Sequence, residues 1–593
     1  MTHRRTCGTA LAALLLAVAW APAPAAGQPA ARGGSGDFRD QFGGVGVQVA
    51  KPTGAFRVQK LGDRWVFVTP EGTAFWMLGV FAVDFGNQTY MDTIRRKYAR
   101  PGDPPQLLAY NAQLLWGTQS CRRIKSWGFN ALAEYIATYA SPVRHVDYPS
   151  TPAMPEDARL PFVTLIRPST YSLRNLNNLA PGPVKSLTWG IDPALHPDVA
   201  YWRGRTTPDV FDPNFEAWVK GAVGGGGPTP PNRALQLGIS TDDVDDIFGW
   251  GPGPEIPTGK THPHVAYFAL VTAPAQTKGE PLGVTYTDTR VHTKYALRDF
   301  LRERYGTVAA LNAAWRAAYT TFDSDGGWPA GKGLLDESGR SPWVGRDSAT
   351  LQAMMPAARK DLDDFLYLYA RKYFLSVTRP IRQGNPRGTP GYPLIMGPAT
   401  LNGWAGLTRR PILKAAGEFL DVVQANLTHQ NLEATVASVG DLPITTWEGQ
   451  PANPDSALYA YPNPGWGVIT QAERGRAYME NILARFNLRT AAGTYPVVGI
   501  KWWAWLDSWG EKSNWGLVTF LDNAYDAKEA VAARGTDPWG FPTGGEERNY
   551  GDFISAVRQT NFALLLRLRE GLLGGTGPVR KWRAQSTPGG WNR

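Results

Sequence analysis

Cysteine is almost missing from this chain of 593 residues: only Cys7 and Cys121 occur. Cys7 falls in an N-terminal segment that reads as removable, so Cys121 stands alone and no intrachain disulfide is expected. A solitary Cys in a helical stretch fits a small buried apolar residue, and a chain this long can support its core without covalent staples. Histidine is scarce as well, with seven residues. There is no paired-Cys zinc spacing, no H-E-x-x-H, no P-loop and no G-x-S-x-G elbow, so no zinc site and no cofactor are expected.

Long apolar runs are also lacking. Beyond the first 26 residues nothing is apolar for long enough to span a bilayer, so no membrane span is expected. The net charge of +10 is spread along the chain without a dense Lys/Arg block, which argues against nucleic acid as a partner. It reads as a solubility charge or as a mild affinity for anionic polysaccharide or cell envelope.

The N-terminus, Met1-Thr-His-Arg-Arg5, is followed by an apolar run from Ala10 to Trp20 and by Ala21-Pro-Ala-Pro-Ala-Ala26. That is the pattern of a cleavable signal peptide over residues 1–26, which implies a secreted or periplasmic protein. Residues 27–50 read as a flexible linker, 51–74 as an N-terminal β-hairpin, 75–573 as the main domain and 574–593 as a flexible tail.

What the chain has in abundance is tryptophan, 23 residues, with 65 Gly and 48 Pro. About half of the indoles are expected to fill the core; others offer large apolar faces on which the C–H faces of sugar rings can stack. Phe56 to Gly72 alternates about the turn Leu61-Gly-Asp63 as a hairpin does. Eight short apolar or β-branched runs follow, within 75–82, 129–132, 160–166, 233–240, 392–396, 419–425, 442–448 and 497–505. Helical periodicity predicts helices over 111–127, 214–223, 295–305, 308–318, 362–378, 471–486 and 552–569. Strands alternating with helices in this order predict an α/β fold, a (β/α)8 barrel. Its excess length lies in Pro/Gly/Asp-rich insertions at 140–209, 250–287 and 320–355, several of which follow strands and so would wall a cleft at the C-terminal rim.

Leu442-Pro-Ile-Thr-Thr-Trp-Glu-Gly449 ends one of these strands in Trp447-Glu448. A carboxylate beside an aromatic plate at a barrel rim suits glycoside chemistry, with Glu448 as nucleophile and Trp447 as platform. The second carboxyl is sought in Ser240-Thr-Asp-Asp-Val-Asp-Asp246. Crowded like charges raise at least one pKa, as a general acid requires. A helix cap and a calcium loop are the other readings of this cluster. Lys501-Trp-Trp-Ala-Trp505 is the densest aromatic run. Strand alternation sends Trp503 and Trp505 to one face, as a sugar floor, and Trp502 to the other, under helices.

Four segments resemble clan-A glycoside hydrolases of the agarase-like and β-galactosidase-like branches: Phe75-Trp-Met-Leu-Gly-Val80, Arg123-Ile-Lys-Ser-Trp-Gly-Phe-Asn130, the stretch 297–315, and Trp515-Gly-Leu-Val518 leading to Tyr525-Asp-Ala-Lys-Glu-Ala530. The resemblance implies a nucleophile Glu ending the seventh strand, matched by Glu448, and an acid Glu after Asn ending the fourth. In this chain Val244 stands at the acid position. An Asp then takes the role, Asp243 first and Asp242 or Asp245 next, or the mechanism differs, or activity is lost. Asn130 is similar to a rim residue of the second strand, or is a turn residue at a strand end. The resemblance implies a retaining hydrolase acting on a polysaccharide, agarose-like galactan among the candidates. The alternatives are a carbohydrate-binding barrel without turnover and a cell-wall glycosidase using an Asp acid.

Overall fold

The computed structural model describes residues 37–85, 88–137, 140, 154–167, 185–187, 207–224, 232–242, 270–277, 286–326, 331–336, 355–384, 393–398, 410–447, 451, 453–456, 468, 470–507, 514–528 and 551–574. The segments expected to be a signal peptide, 1–26, and a tail, from 575 on, lie outside them.

The first elements form the expected hairpin. Strand β1 (Arg57–Leu61) pairs antiparallel with β2 (Arg64–Val68) around Gly62, whose φ of +61° suits a residue without a Cβ. β3 (Ala74–Phe75) adds to β2. The segment read as the end of the linker packs on this sheet. Val45 N–H donates to Ala74 O, Gln48 bridges Thr73, and Phe42 meets Phe56 edge to face at 6.1 Å.

After β4 (Met77–Val80) the chain alternates helix and strand. The helices α1 (Gln88–Tyr98) and α2 (Leu108–Ser126) precede β5 (Ala131–Leu132) and β6 (Phe162–Ile166). Next come α3 (Pro213–Gly224), β7 (Gln236–Thr241), α4 (His292–Tyr305), α5 (Val308–Trp315), α6 (Pro356–Gly384) and β8 (Leu394–Gly397). The last are α7 (Arg410–Phe419), β9 (Val423–Gln424), α8 (Leu432–Val439), β10 (Ile444–Trp447), α9 (Gln471–Phe486), β11 (Val497–Trp502) and α10 (Ile554–Leu572).

β4 to β11 form one parallel sheet in the order β8-β7-β6-β5-β4-β11-β10-β9. Such strands are covered on both faces, which is why each reads as a nearly unbroken apolar run. The outer strands meet through Asp421. Its N–H donates to Ile395 O at 2.9 Å, and its buried carboxylate accepts Ile395 N–H at 3.0 Å. One side chain thereby replaces half a ladder rung, and the eight strands form a (β/α)8 barrel.

Helix ends follow the chemistry of the sequence. Gly128 has φ +82°, and a Cβ there would meet Asn561 Cβ at 2.8 Å, so the turn between α2 and β5 requires glycine. Thr470 and Glu473 form a capping box that starts α9. α5 stops at Trp315, short of the predicted 318, because Arg316 turns left-handed at φ +51°. The hairpin sits at the N-terminal end of the barrel. Arg64 lies 4.2 Å above the Phe486 and Tyr495 rings, and Trp65 Nε1 donates to Asp441 at 2.8 Å. Chemistry is therefore left to the opposite, C-terminal rim.

Candidate active site

Just below that rim the barrel interior is polar. The strands β5, β7, β9 and β11 alternate around the barrel, and each contributes one inward side chain at or just past its end: Glu134, Ser240, Gln424 and Lys501. A barrel layer is normally four branched apolar residues from alternate strands. Here the four close a hydrogen-bonded cycle. Lys501 Nζ donates to Glu134 Oε1 and Oε2 at 3.2 and 3.3 Å and also to Gln424 Oε1. Gln424 Nε2 donates to Ser240 Oγ at 2.5 Å, and Ser240 Oγ donates to Glu134 Oε1 at 2.5 Å. Every donor has an acceptor, which is what makes buried charge tolerable here. None of the four is exposed beyond 1%.

Above one side of this layer sits an aromatic group. Trp503 is half-buried, with Phe81 at 5.6 Å and Tyr135 at 6.0 Å, both edge to face. Phe81 also lies 4.7 Å from Lys501 Nζ, and the Arg167 guanidinium covers Tyr135 at 5.6 Å. These residues follow β11, β4, β5 and β6, so they line one arc of the rim.

The loops after β10 and β11 are pinned together by buried polar contacts. Arg474 of α9 donates to Gly516 O at 2.9 Å and to Pro451 O at 3.4 Å, and it packs 4.2 Å over Phe553. Burial lowers its pKa to about 10. Asp507 accepts Gly516 N–H at 2.6 Å and the Ser456 hydroxyl. Burial raises its pKa to about 6, against the lowering effect of these bonds.

The residues predicted from sequence fare differently. Glu448, Asp243 and Asp245 lie outside the described residues, as does the Trp447 side chain; the Trp447 backbone ends β10, in register with Lys501. Asp242 is fully buried in a left-handed conformation, φ +59°, and its carboxylate accepts the Tyr373 hydroxyl of α6 at 2.8 Å. Its oxygen is thus engaged with the helical layer. Asn130 is not at the rim. It immediately precedes β5, and its amide is spent on backbone: Oδ1 accepts Leu78 N–H at 2.7 Å, and Nδ2 donates to Trp76 O and Gly43 O. That is a structural pin, the turn-residue reading.

Trp503 and Trp505 do not share a face, because β11 ends at Trp502 and the alternation ends with it. The chain leaves through a cis Trp503–Ala504 peptide. Trp505 is fully buried, stacked 5.9 Å from Trp127, and its Nε1 donates to Tyr90 OH. It has no face to offer a sugar. Trp502 packs outward as expected, on Tyr478 and Phe553. The polar layer itself was missed. Its signal was a Lys, a Gln and a Ser inside otherwise apolar strands. No group of three or more metal-ligating side chains occurs among the described residues.

The fold defines the class, a (β/α)8 barrel. An agarase of known structure aligns over 89% of this chain and 68% of its own, with 17% identity and a TM-score of 0.55. A solved exo-β-agarase gives 18% identity and a TM-score of 0.55 over 89% and 67% of the two chains. In sequence the chain is similar to β-agarase B of Vibrio sp. (strain JT0107), with 21% identity over 519 residues. The match covers 80% of this chain and 47% of that protein, so the chain spans about half the length of its relative. No family model matches the sequence.

Proposed function

We propose that the protein is an exported glycoside hydrolase that cleaves a polysaccharide, an agarose-like galactan first, by double displacement. The observation that carries this reading is the similarity to agarases in both sequence and fold, over most of the chain. Glu448 attacks the anomeric carbon while an Asp of the 242–246 cluster gives its proton to the leaving glycosidic oxygen. The resulting glycosyl ester is hydrolysed by a water that the same Asp deprotonates. The engagement of Asp242 with Tyr373 favours Asp243 or Asp245 as that acid. Trp503, with Trp447, holds the ring by stacking. No described helix is long and apolar enough to cross a membrane.

A second reading is favoured by Val244 at the expected acid position: a barrel that binds glycan without turning it over. Release of reducing ends from agarose, porphyran, other galactans and bacterial wall glycans separates the two. Turnover on a galactan is expected. Binding with no turnover on any glycan supports the second reading, and turnover confined to wall glycan replaces the substrate class.

A further inference from the structure

We propose that the buried cycle of Glu134, Ser240, Gln424 and Lys501 is an electrostatic floor that sets the protonation of the two reacting carboxyls. The positive end lies beneath the seventh strand and the negative end beneath the second to fourth. This rests on the proposed glycosidase reading and adds positioning residues to it.

The argument begins with cost. A layer of Val, Ile and Leu would fill the same space without desolvating two charges, and a buried ion pair is poor evidence of stabilisation. Direction comes next. Lys501 stands on β11 and bonds across to Gln424 on β9, so its ammonium straddles β10, the strand between them. The register pairs Lys501 with Trp447, and Glu448 is the next residue in the chain. Glu134 lies past β5 and bonds to Ser240 near the end of β7, the strand that leads into the Asp cluster. A retaining glycosidase needs one carboxyl ionised and the other protonated at the same pH. A fixed dipole with this orientation favours the ionised form at the seventh strand and the protonated form at the fourth.

Lys501 faces Glu134, Gln424 and the Phe81 ring; Glu134 faces Lys501 and Ser240. Other described charges at this end of the barrel include Arg167 over Tyr135, Asp242 bonded to Tyr373, the exposed Asp84 after β4, Asp507, tied to Ser456 and Gly516, and Arg474 and Asp455 beside it.

The test is the pH dependence of kcat/KM in wild type, in Glu134→Gln and in Lys501→Met/Glu134→Gln, with Tm and circular dichroism as fold checks. The double variant loses both ends of the dipole without leaving an unpaired charge. Its acid limb should rise and its alkaline limb fall, each by roughly half a pH unit, because the two opposite charges lie 3.2 Å apart and largely offset one another at an effective dielectric near 20. Glu134→Gln keeps the geometry but leaves Lys501 unopposed, so both limbs should move down. Altered Tm with unmoved limbs overturns the proposal. A substrate-free measurement keeps the two claims apart. In protein labelled with 13C at the Glu side-chain carboxyls, the resonance missing from Glu448→Gln should titrate roughly half a pH unit higher in the double variant than in wild type. Titration at the wild-type pH overturns the floor, whatever substrate is found. Undiminished turnover in Glu448→Gln overturns the nucleophile instead.

Discussion

Lys501 Nζ lies 3.2 and 3.3 Å from the two carboxylate oxygens of Glu134, and neither side chain is exposed to solvent. The residues are 367 positions apart, joined only because the barrel places its second and eighth strands, β5 and β11, on either side of β4. Removing one partner alone strands a buried charge. Lys501→Met, which strands the Glu134 carboxylate, is expected to cost about 3–5 kcal/mol of stability in denaturant unfolding.

Trp503 and Trp505 should separate binding from packing. Trp503→Ala is expected to raise KM severalfold with Tm little changed, because its half-buried face is what a sugar would stack on. Trp505→Ala removes a fully buried indole that donates to Tyr90 and stacks on Trp127. It should cost about 3–5 kcal/mol in denaturant unfolding. A selective rise in KM for Trp505→Ala, with stability kept, would contradict the packing.

The aspartate cluster can be resolved by three amide substitutions. Asp242→Asn weakens a buried bond to Tyr373 and should lower stability by about 1–3 kcal/mol while leaving kcat in the folded enzyme within a few-fold. Either Asp243→Asn or Asp245→Asn should reduce kcat by 100-fold or more, the typical loss on removing a general acid. Loss of kcat in Asp242→Asn alone, with Tm retained, would reassign the acid.

Much of the architecture was legible before any coordinates. Buried parallel strands betray themselves as short apolar runs, and all eight were found. Three helices were not. α1 is polar on most of its surface, with only Tyr90, Thr93 and Ile94 buried. α7 contains Gly417 and begins Arg410-Pro411, and α8 is eight residues long. The site was harder for a physical reason. A lone Lys in Val497-Val-Gly-Ile-Lys-Trp502 has no visible partner until closure places Glu134 beside it. Alternation misled at Trp503 and Trp505, since it holds only as far as the strand does, and β11 ends at Trp502.

Asp507 gives a prediction for stability against pH. Burial raises its folded-state pKa to about 6 from an ordinary 3.8. The folded chain then binds a proton that the unfolded chain has lost between these values. The stability it contributes is complete below 3.8 and is lost as pH rises through 6. Asp507→Asn has no such titration, so its Tm relative to wild type should be higher at pH 8 than at pH 4. A Tm difference that is constant across this range would contradict the raised value.

The most direct test of the whole account compares wild type with Glu448→Gln for reducing-end release on the galactan that the wild type degrades best. The substitution removes a charge and keeps the side-chain shape. Folded Glu448→Gln with unchanged Tm and turnover reduced by at least about 1,000-fold is predicted, as for loss of a catalytic nucleophile. Turnover within a few-fold of wild type would contradict the account.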